Sequence, residues 1–206
     1  MFADRDEAAI RLAAALEKYR GQNPLVLGIP RGAGPMARII AQKLDGEVDV
    51  VLVRKLGAPG NPEYAIGAVD ESGWAYVSAD AERAGANARY IEVEKERQLE
   101  VIRERRALFT SHREARDPAG RIVIVVDDGL ATGSTMIAAL HVLRERHPAR
   151  LVCAAPVAPR QTLRNIQPFA DEVVCLEAPE EFYAVGQFYR NFPQVGDEEV
   201  VALLKA

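Results

Sequence analysis

Residues 121–140, RIVIVVDDGLATGSTMIAAL, decide the fold that this chain is expected to adopt. The β-branched residues at 122–126 are typical of a buried strand, two carboxylates follow it, and a pattern with helical spacing begins near Thr135. The short connection between these elements is a tight turn. A strand, a turn and a helix in this order predict one unit of an α/β fold.

The turn has the composition of a phosphate-binding loop. Unpaired backbone N–H groups at a helix N-terminus attract phosphate, and the small or hydroxyl-bearing residues at this position are Ala131, Thr132, Gly133, Ser134 and Thr135. Asp127 and Asp128 repel phosphate, but they accept hydrogen bonds from sugar hydroxyls or orient water around Mg²⁺. A phosphosugar with free hydroxyl groups would satisfy both halves of the segment.

Apolar runs and helical patterns alternate along the rest of the chain. Short runs suited to buried strands occupy residues 25–29, 50–53, 151–155 and 173–176, and helical patterns occupy 36–44, 135–146 and 160–166. This alternation predicts an open, mostly parallel sheet flanked by helices. Cys153 and Cys175 fall within two of the runs, so we expect both in the core.

Two further helices are expected to serve packing alone. One follows Asp4 and Asp6 and stops at Gly21, which agrees with an acidic N-terminus and a glycine C-cap. The other lies between Glu82 and Arg116, where acidic and basic residues recur at separations of three and four. We interpret the first as a docking helix and the second as a solvated helix face that supports the sheet, with a contact surface as the alternative.

Composition excludes several classes of protein. The 206 residues, 49% hydrophobic and 27% charged, suit a single folded domain over 1–206. A net charge of −4 lacks the basic excess that nucleic-acid binding needs. Because the chain shows neither a membrane-spanning run nor the apolar block of a secretion signal, we expect no membrane partner and a cytoplasmic location.

Charged and glycine-rich loops follow several predicted strands, where ligands of parallel sheets gather. Residues 28–34, GIPRGAG, follow the first run, and Arg54 and Lys55 follow the second. Residues 32–37 also fit the GxGxxA dinucleotide fingerprint, which gives an NADP-binding Rossmann protein as a remote alternative. That alternative leaves the second phosphate loop unexplained.

The segment VIVVDDGLATGST, residues 123–135, resembles the signature by which type I phosphoribosyltransferases bind phosphoribosyl pyrophosphate (PRPP). The order of the strand-end loops extends this likeness from Leu25 to about Phe192. The resemblance implies that Asp127 and Asp128 bind the ribose 2- and 3-hydroxyls and that the loop from Ala131 to Thr135 holds the 5-phosphate.

The resemblance also assigns the pyrophosphate side of the site. Arg31 and Gly32 would contact the leaving group, and a mobile loop within 56–64 would close over PRPP with Arg54 and Lys55 near its base. Mg²⁺ would be held mainly through PRPP and water, near Asp127 and Asp128. Family resemblance further implies a homo-oligomer, with a dimer as the expectation.

The acceptor is harder to read from the sequence. Hypoxanthine-guanine members carry an acidic residue where this chain has Ala131, which weakens a 6-oxopurine acceptor. The aromatic tail within 177–206 resembles a hood segment that stacks an acceptor base, and its candidate contacts are Phe182, Tyr183 and Val185. Core packing of the same side chains is the alternative interpretation.

The function predicted from these features is transfer of phosphoribose from Mg-PRPP to a nitrogenous acceptor, possible nucleobases included, with release of pyrophosphate. Positioning and electrostatic stabilisation by Arg31, Arg54 and Lys55 would suffice, because no covalent nucleophile is needed. A non-catalytic, PRPP-sensing regulator is the second hypothesis, since such a protein can retain the same loop.

Overall fold

A computed structural model describes residues 1–109 and 115–205 of the chain. Its helices and strands, in chain order, are α1 (Arg5–Ala15), β1 (Leu25–Gly28), α2 (Gly34–Lys43), β2 (Glu47–Val50), β3 (Val53–Ala58), β4 (Asn61–Asp70), β5 (Ala75–Val77), α3 (Ala88–Phe109), β6 (Ile122–Val126), α4 (Ser134–Arg144), β7 (Arg150–Val157), α5 (Arg160–Ile166), β8 (Glu172–Glu177) and α6 (Asp197–Lys205).

A parallel sheet of five strands forms the centre of the fold, in the order β2-β1-β6-β7-β8. Alternate residues of its strands enter two separate cores, because successive side chains of a strand point to opposite faces. Val26 and Ile124 pack with α1 and α2 on one face, whereas Leu25 and Val123 pack with α4 on the other. The predicted α/β fold with a helix-flanked parallel sheet is confirmed.

The sequence did not predict a second, antiparallel sheet of β3, β4 and β5. The predicted strand at 50–53 is wrong, because Val50 ends β2 and Val53 begins β3. Most of the predicted loop at 56–64 instead belongs to a β3–β4 hairpin with a tight turn at 59–60. The hairpin contains a bulge at Gly57. A Cβ at this position would lie 2.7 Å from the Cα of Pro62, so the bulge favours glycine. Residues that are typical of loops therefore occur within these strands.

Helix α3 packs against this second sheet and is more than a solvated face. Leu99, Ile102 and Phe109 are buried with Leu56 and Ile66 in a third core. The sequence did not indicate this contact, because the apolar residues of α3 are few and widely spaced among Glu and Arg. The helix is thereby fixed with one face toward the inside of the molecule.

An aromatic stack joins the second sheet to the main domain. The ring of His141 in α4 lies between Tyr76 of β5 and Phe169, with centroid distances of 4.0 and 4.4 Å. The stack brings β5 over α4, and β3 and β4 also contact that helix. The carboxyl ends of β1 and β2 therefore face the second sheet across a gap.

The N-terminal residues pair with the segment that follows β8. Phe2 forms a parallel bridge with Tyr189, and Arg190 donates its N–H to the Phe2 carbonyl oxygen at 2.9 Å. Helix α6 then contacts α2 and α3, where Val200 is fully buried. Of the helices within the described ranges, none is both long and apolar enough to cross a membrane.

The orientation of α3 can be tested by truncating one side chain on each of its faces. We expect Ile102→Ala to lower the free energy of unfolding by about 2–5 kcal/mol, since Ile102 is 1% exposed and its loss leaves a cavity. The control Val93→Ala removes a side chain that is 64% exposed and should change it by no more than about 0.5 kcal/mol. Urea unfolding measures both, and equal losses would contradict the packing of α3.

Candidate functional site

The loops that follow β1 and β6 meet because these strands are neighbours in the sheet. Gly28 pairs with Val126, and Ile29 donates its N–H to the Val126 carbonyl oxygen at 2.9 Å. Gly32 then lies directly against the carboxylate of Asp128, so that a Cβ at this position would overlap it. The Pro30–Arg31 peptide bond in this loop is cis. The structure thus brings the predicted pyrophosphate loop and the paired carboxylates together.

Asp127 and Asp128 are adjacent, and solvent has little access to either side chain. The Asp128 N–H donates to Asp127 Oδ1 at 2.9 Å. Burial raises the pKa of Asp127 well above its usual range, and the neighbouring Asp128 raises it further. Burial also raises the pKa of Asp128, although Arg5 opposes this effect. Two carboxylates in such a place favour ligands that donate hydrogen bonds or carry positive charge.

Arg5, a residue that the sequence did not indicate, holds Asp128 in place. Its Nε and Nη2 lie 2.9 and 2.8 Å from Asp128 Oδ2, and the two side chains are 10% and 15% exposed. The guanidinium also donates to the Pro193 carbonyl oxygen at 2.7 Å and stacks over the Phe192 ring. Helix α1 is therefore part of the site and not a docking helix alone.

The C-terminal segment reaches the same aspartate. The Tyr189 hydroxyl donates to the Asp128 carbonyl oxygen at 2.6 Å. Burial raises the pKa of the Tyr189 hydroxyl, so that it stays protonated and able to donate. No local signal in the sequence could have revealed Arg5 or Tyr189, because each lies far along the chain from the segment at 121–140.

The predicted phosphate loop has the required shape. Gly133, with φ of 75°, precedes the first residue of α4, where backbone N–H groups cannot pair within the helix. Thr162 of α5 donates its hydroxyl to the Ala131 carbonyl oxygen at 2.7 Å. A Cβ at Gly133 would lie 2.9 Å from side-chain carbons of Thr162 and Ile166. The loop is thus supported from behind by α5.

Hydroxyl groups lie on the loop beside these N–H groups. The hydroxyls of Thr132 and Ser134 are 3.0 Å apart and share a hydrogen bond. Thr132 is exposed, while Ser134 and Thr135 are half-buried. The five predicted phosphate-loop residues therefore form the turn that leads into α4 and the first two residues of that helix.

The predicted pyrophosphate contacts separate into two groups. Arg54 and Lys55 of β3 line a cavity of about 380 Å³ that is also bounded by Pro30 and Thr135. Arg31 is not among the residues that line this cavity; its side chain is 47% exposed and lies 3.9 Å from Asp197 of α6. The structure therefore brings Arg54 and Lys55 to the phosphate loop and leaves Arg31 at the rim.

The three candidate acceptor contacts differ in burial: Phe182 and Val185 pack against one core, whereas Tyr183 is exposed. Val185 lies so close to Gly129 that a Cβ there would collide with it. Phe182 packs on the main core with its ring 5.1 Å from that of Phe188. Tyr183 is 85% exposed. Their role in binding an acceptor stays a prediction.

A metal ion at this site would have to be coordinated in part by a bound ligand. Within residues 1–109 and 115–205, no three His, Cys, Asp or Glu side chains are arranged to hold a metal. One oxygen of Asp128 is already paired with Arg5. This arrangement fits Mg²⁺, which commonly keeps several waters and binds through one or two carboxylates together with substrate phosphates.

Comparisons with known proteins agree with this geometry. Residues 4–193 match the family model described as a phosphoribosyl transferase domain. The crystal structure of TT1426 from Thermus thermophilus superimposes with a TM-score of 0.91 at 45% identity, covering 98% of this chain and 97% of that one. An adenine phosphoribosyltransferase from Giardia lamblia, solved with 9-deazaadenine, shares the fold. It superimposes with a TM-score of 0.50 at 12% identity, and the match covers 86% of this chain and 80% of that one.

A curated relative from Mycobacterium tuberculosis H37Rv, provisionally named phosphoribosyl transferase Rv0571c, is 41% identical over 99% of this chain. The chain spans 46% of that protein's length, about half. The family match covers α1, the turn after β6 and the segment through Tyr189, and so includes Arg5 and Tyr189, which contact Asp128 in the structure. The chain belongs to the phosphoribosyl transferase family, as the resemblance of residues 123–135 predicted.

Proposed function

We propose that this protein is an enzyme that transfers phosphoribose from Mg-PRPP to a nitrogenous acceptor and releases pyrophosphate. The observation that carries the proposal is the convergence, on one edge of the sheet, of paired carboxylates, a helix N-terminal turn and a cavity lined by cations. Each part suits a different portion of PRPP: the hydroxyls, the 5-phosphate and the pyrophosphate.

The assignment of contacts follows the charges. Asp127 and Asp128 accept hydrogen bonds from the ribose 2- and 3-hydroxyls, and the turn from Ala131 to Thr135 receives the 5-phosphate. Arg54 and Lys55 face the pyrophosphate from β3, while Arg31 and Gly32 approach it from the rim. Mg²⁺, when bound with PRPP, neutralises charge on the departing pyrophosphate.

The reaction breaks the bond between ribose C1 and a pyrophosphate oxygen, whose electron pair leaves with the pyrophosphate. Positive charge then develops on the ribose and is stabilised by the two carboxylates, while the cations of β3 stabilise the leaving group. The acceptor nitrogen forms the new bond to C1, and its proton passes to the departing pyrophosphate or to water. Fixed charges of opposite sign on the two sides of C1 lower the barrier without a covalent intermediate.

The acceptor itself is left open by this proposal. Ala131 removes the acidic residue associated with 6-oxopurines, and the C-terminal segment supplies Phe182, Tyr183 and Val185 as candidate contacts. A hood over 177–206, a dimer and a cytoplasmic location stay predictions. A non-catalytic PRPP sensor could use the same contacts, so turnover and not PRPP binding distinguishes it from the enzyme.

An assay of pyrophosphate release tests the proposal. The full chain is incubated with Mg-PRPP and a panel of purine, pyrimidine and other nitrogenous acceptors, and pyrophosphate is measured over time. Release that depends on one acceptor supports the enzyme. Tight PRPP binding with no release for any acceptor would support the sensor.

The two carboxylates can be tested by removing their charge. We expect Asp127→Asn to weaken PRPP binding about 10- to 100-fold, the loss of one or two hydrogen bonds to a charged group. Asp128→Asn should do the same and also lower the free energy of unfolding, because Arg5 loses its buried partner. Calorimetric titration and urea unfolding measure these changes.

The control for this pair is Asp45→Asn, which removes an exposed carboxylate at a residue whose positive φ suits Asn. It should bind PRPP like the parent. Unchanged PRPP affinity in Asp127→Asn would show that the ribose site lies elsewhere.

Ligand binding should also stabilise the folded chain. A ligand at 100 times its dissociation constant adds about 2.7 kcal/mol, which for a domain of this size raises the melting midpoint by roughly 5–10 °C. We expect Mg-PRPP to produce such a shift and ribose 5-phosphate a smaller one, because only PRPP reaches Arg54 and Lys55. No shift with Mg-PRPP, or an equal one with NADP, would contradict the assignment in a thermal melt.

A further inference from the structure

The cavity beside the phosphate loop is enclosed by a helix that belongs to no recognised motif. Its cationic lining comes from two elements: Arg54 and Lys55 from β3, and Arg97 and Arg105 from α3. Helical spacing places Arg105 on the same face of α3 as the buried Ile102. Arg97 also lines the cavity, although its side chain is 64% exposed.

The carboxylate in this lining is already neutralised. Glu94 is 6% exposed and accepts hydrogen bonds from Arg97 at 2.9 and 3.0 Å and from Gln98 at 2.7 Å. In the described parts of the chain, Arg54, Lys55 and Arg105 form no ion pair with a carboxylate. Three cations therefore share the cavity without a counter-ion from the protein.

Arg54 lies among charged side chains of α3. Burial lowers the pKa of Arg54, the neighbouring Arg105 and Arg97 lower it further, and Glu94 opposes this effect. The Nε of Arg54 is fixed by a hydrogen bond to Gln98 Oε1 at 2.9 Å, which orients its guanidinium. A site that concentrates cations in this way gains most from a ligand with several negative charges.

The position of the cavity identifies the class of anion. It is bounded by Pro30 on one side and by Thr135 on the other, the two loops assigned above to pyrophosphate and 5-phosphate. A volume of about 380 Å³ holds a diphosphate with its waters. Guanidinium groups bind phosphate oxygens in a planar, two-pronged geometry, which suits a diphosphate presented to several arginines.

We propose that Arg97 and Arg105 of α3 bind the diphosphate group of PRPP, and of free pyrophosphate, together with Arg54 and Lys55. The inference rests on the proposed function for the source of the diphosphate. It adds an α3 contribution to the leaving-group side of the site and gives the second sheet a role in substrate binding. Arg105 is the more informative residue, because it has no ion-pair partner to lose.

The experiment measures binding of inorganic pyrophosphate with Mg²⁺ to the full chain by calorimetric titration, in the parent and in Arg105→Gln. We expect the variant to bind pyrophosphate about 10-fold or more weakly, the loss of one charge-assisted contact. The matched control is Arg103→Gln, which removes the same charge from the exposed face of the same helix and should bind as the parent does. Equal weakening in both variants would overturn the proposal.

A second variant and a second ligand test the diphosphate site further. Arg97→Gln should weaken pyrophosphate binding. Urea unfolding of the same variant measures any loss of folding free energy that results from unpairing Glu94. Unchanged binding in a folded Arg97→Gln would overturn the assignment of Arg97. Ribose 5-phosphate, which reaches only the phosphate loop and the aspartates, should bind Arg105→Gln as well as the parent.

The two proposals fail in different ways. If ribose 5-phosphate and PRPP stabilise the parent but the loss of Arg105 leaves pyrophosphate and PRPP affinity unchanged, the diphosphate site is wrong and the proposed function stands. If pyrophosphate binding depends on Arg105 but does not compete with PRPP, the link to the leaving group is overturned. If pyrophosphate binds in this way and neither PRPP nor ribose 5-phosphate binds at all, the proposed function is wrong.

Discussion

Two adjacent carboxylates at the carboxyl end of β6 are the constraint on which the arrangement of the site depends. Burial penalises the charged form of both, and their proximity adds repulsion, so the fold must supply compensation. Arg5 provides it through a hydrogen bond from Nε and an ion-pair contact from Nη2, both to one oxygen of Asp128. Removing one partner of such a buried pair is far more costly than the pair itself is stabilising, and this ties Arg5 to its position.

Arg5 links helix α1 to the segment at residues 189–193 at the site. The guanidinium contacts the Asp128 carboxylate, the Phe192 ring and the Pro193 carbonyl oxygen. The same C-terminal segment donates the Tyr189 hydroxyl to the Asp128 backbone. Parts of the chain separated by most of its length are therefore joined by a single network around one side chain.

Charge is distributed unevenly around the phosphate loop. The carboxylates lie on the side of α1 and the C-terminal segment, and the cations lie on the side of β3 and α3. In the proposed reaction, this separation matches the charges that develop on ribose and pyrophosphate. Because the groups are held by packing and hydrogen bonds before any ligand arrives, little reorganisation would be needed during the reaction.

The sequence by itself determined the parallel sheet, its strands at 122–126, 151–155 and 173–176, and the turn after β6 with its two aspartates. These features are local: strand periodicity, a glycine with positive φ and a helix N-terminus are all encoded within a few residues. Only the tertiary structure decided the second sheet, the inward face of α3 and the role of Arg5. Each of these depends on contacts between distant residues, and loop-like glycines and prolines or dense charge concealed them in the sequence.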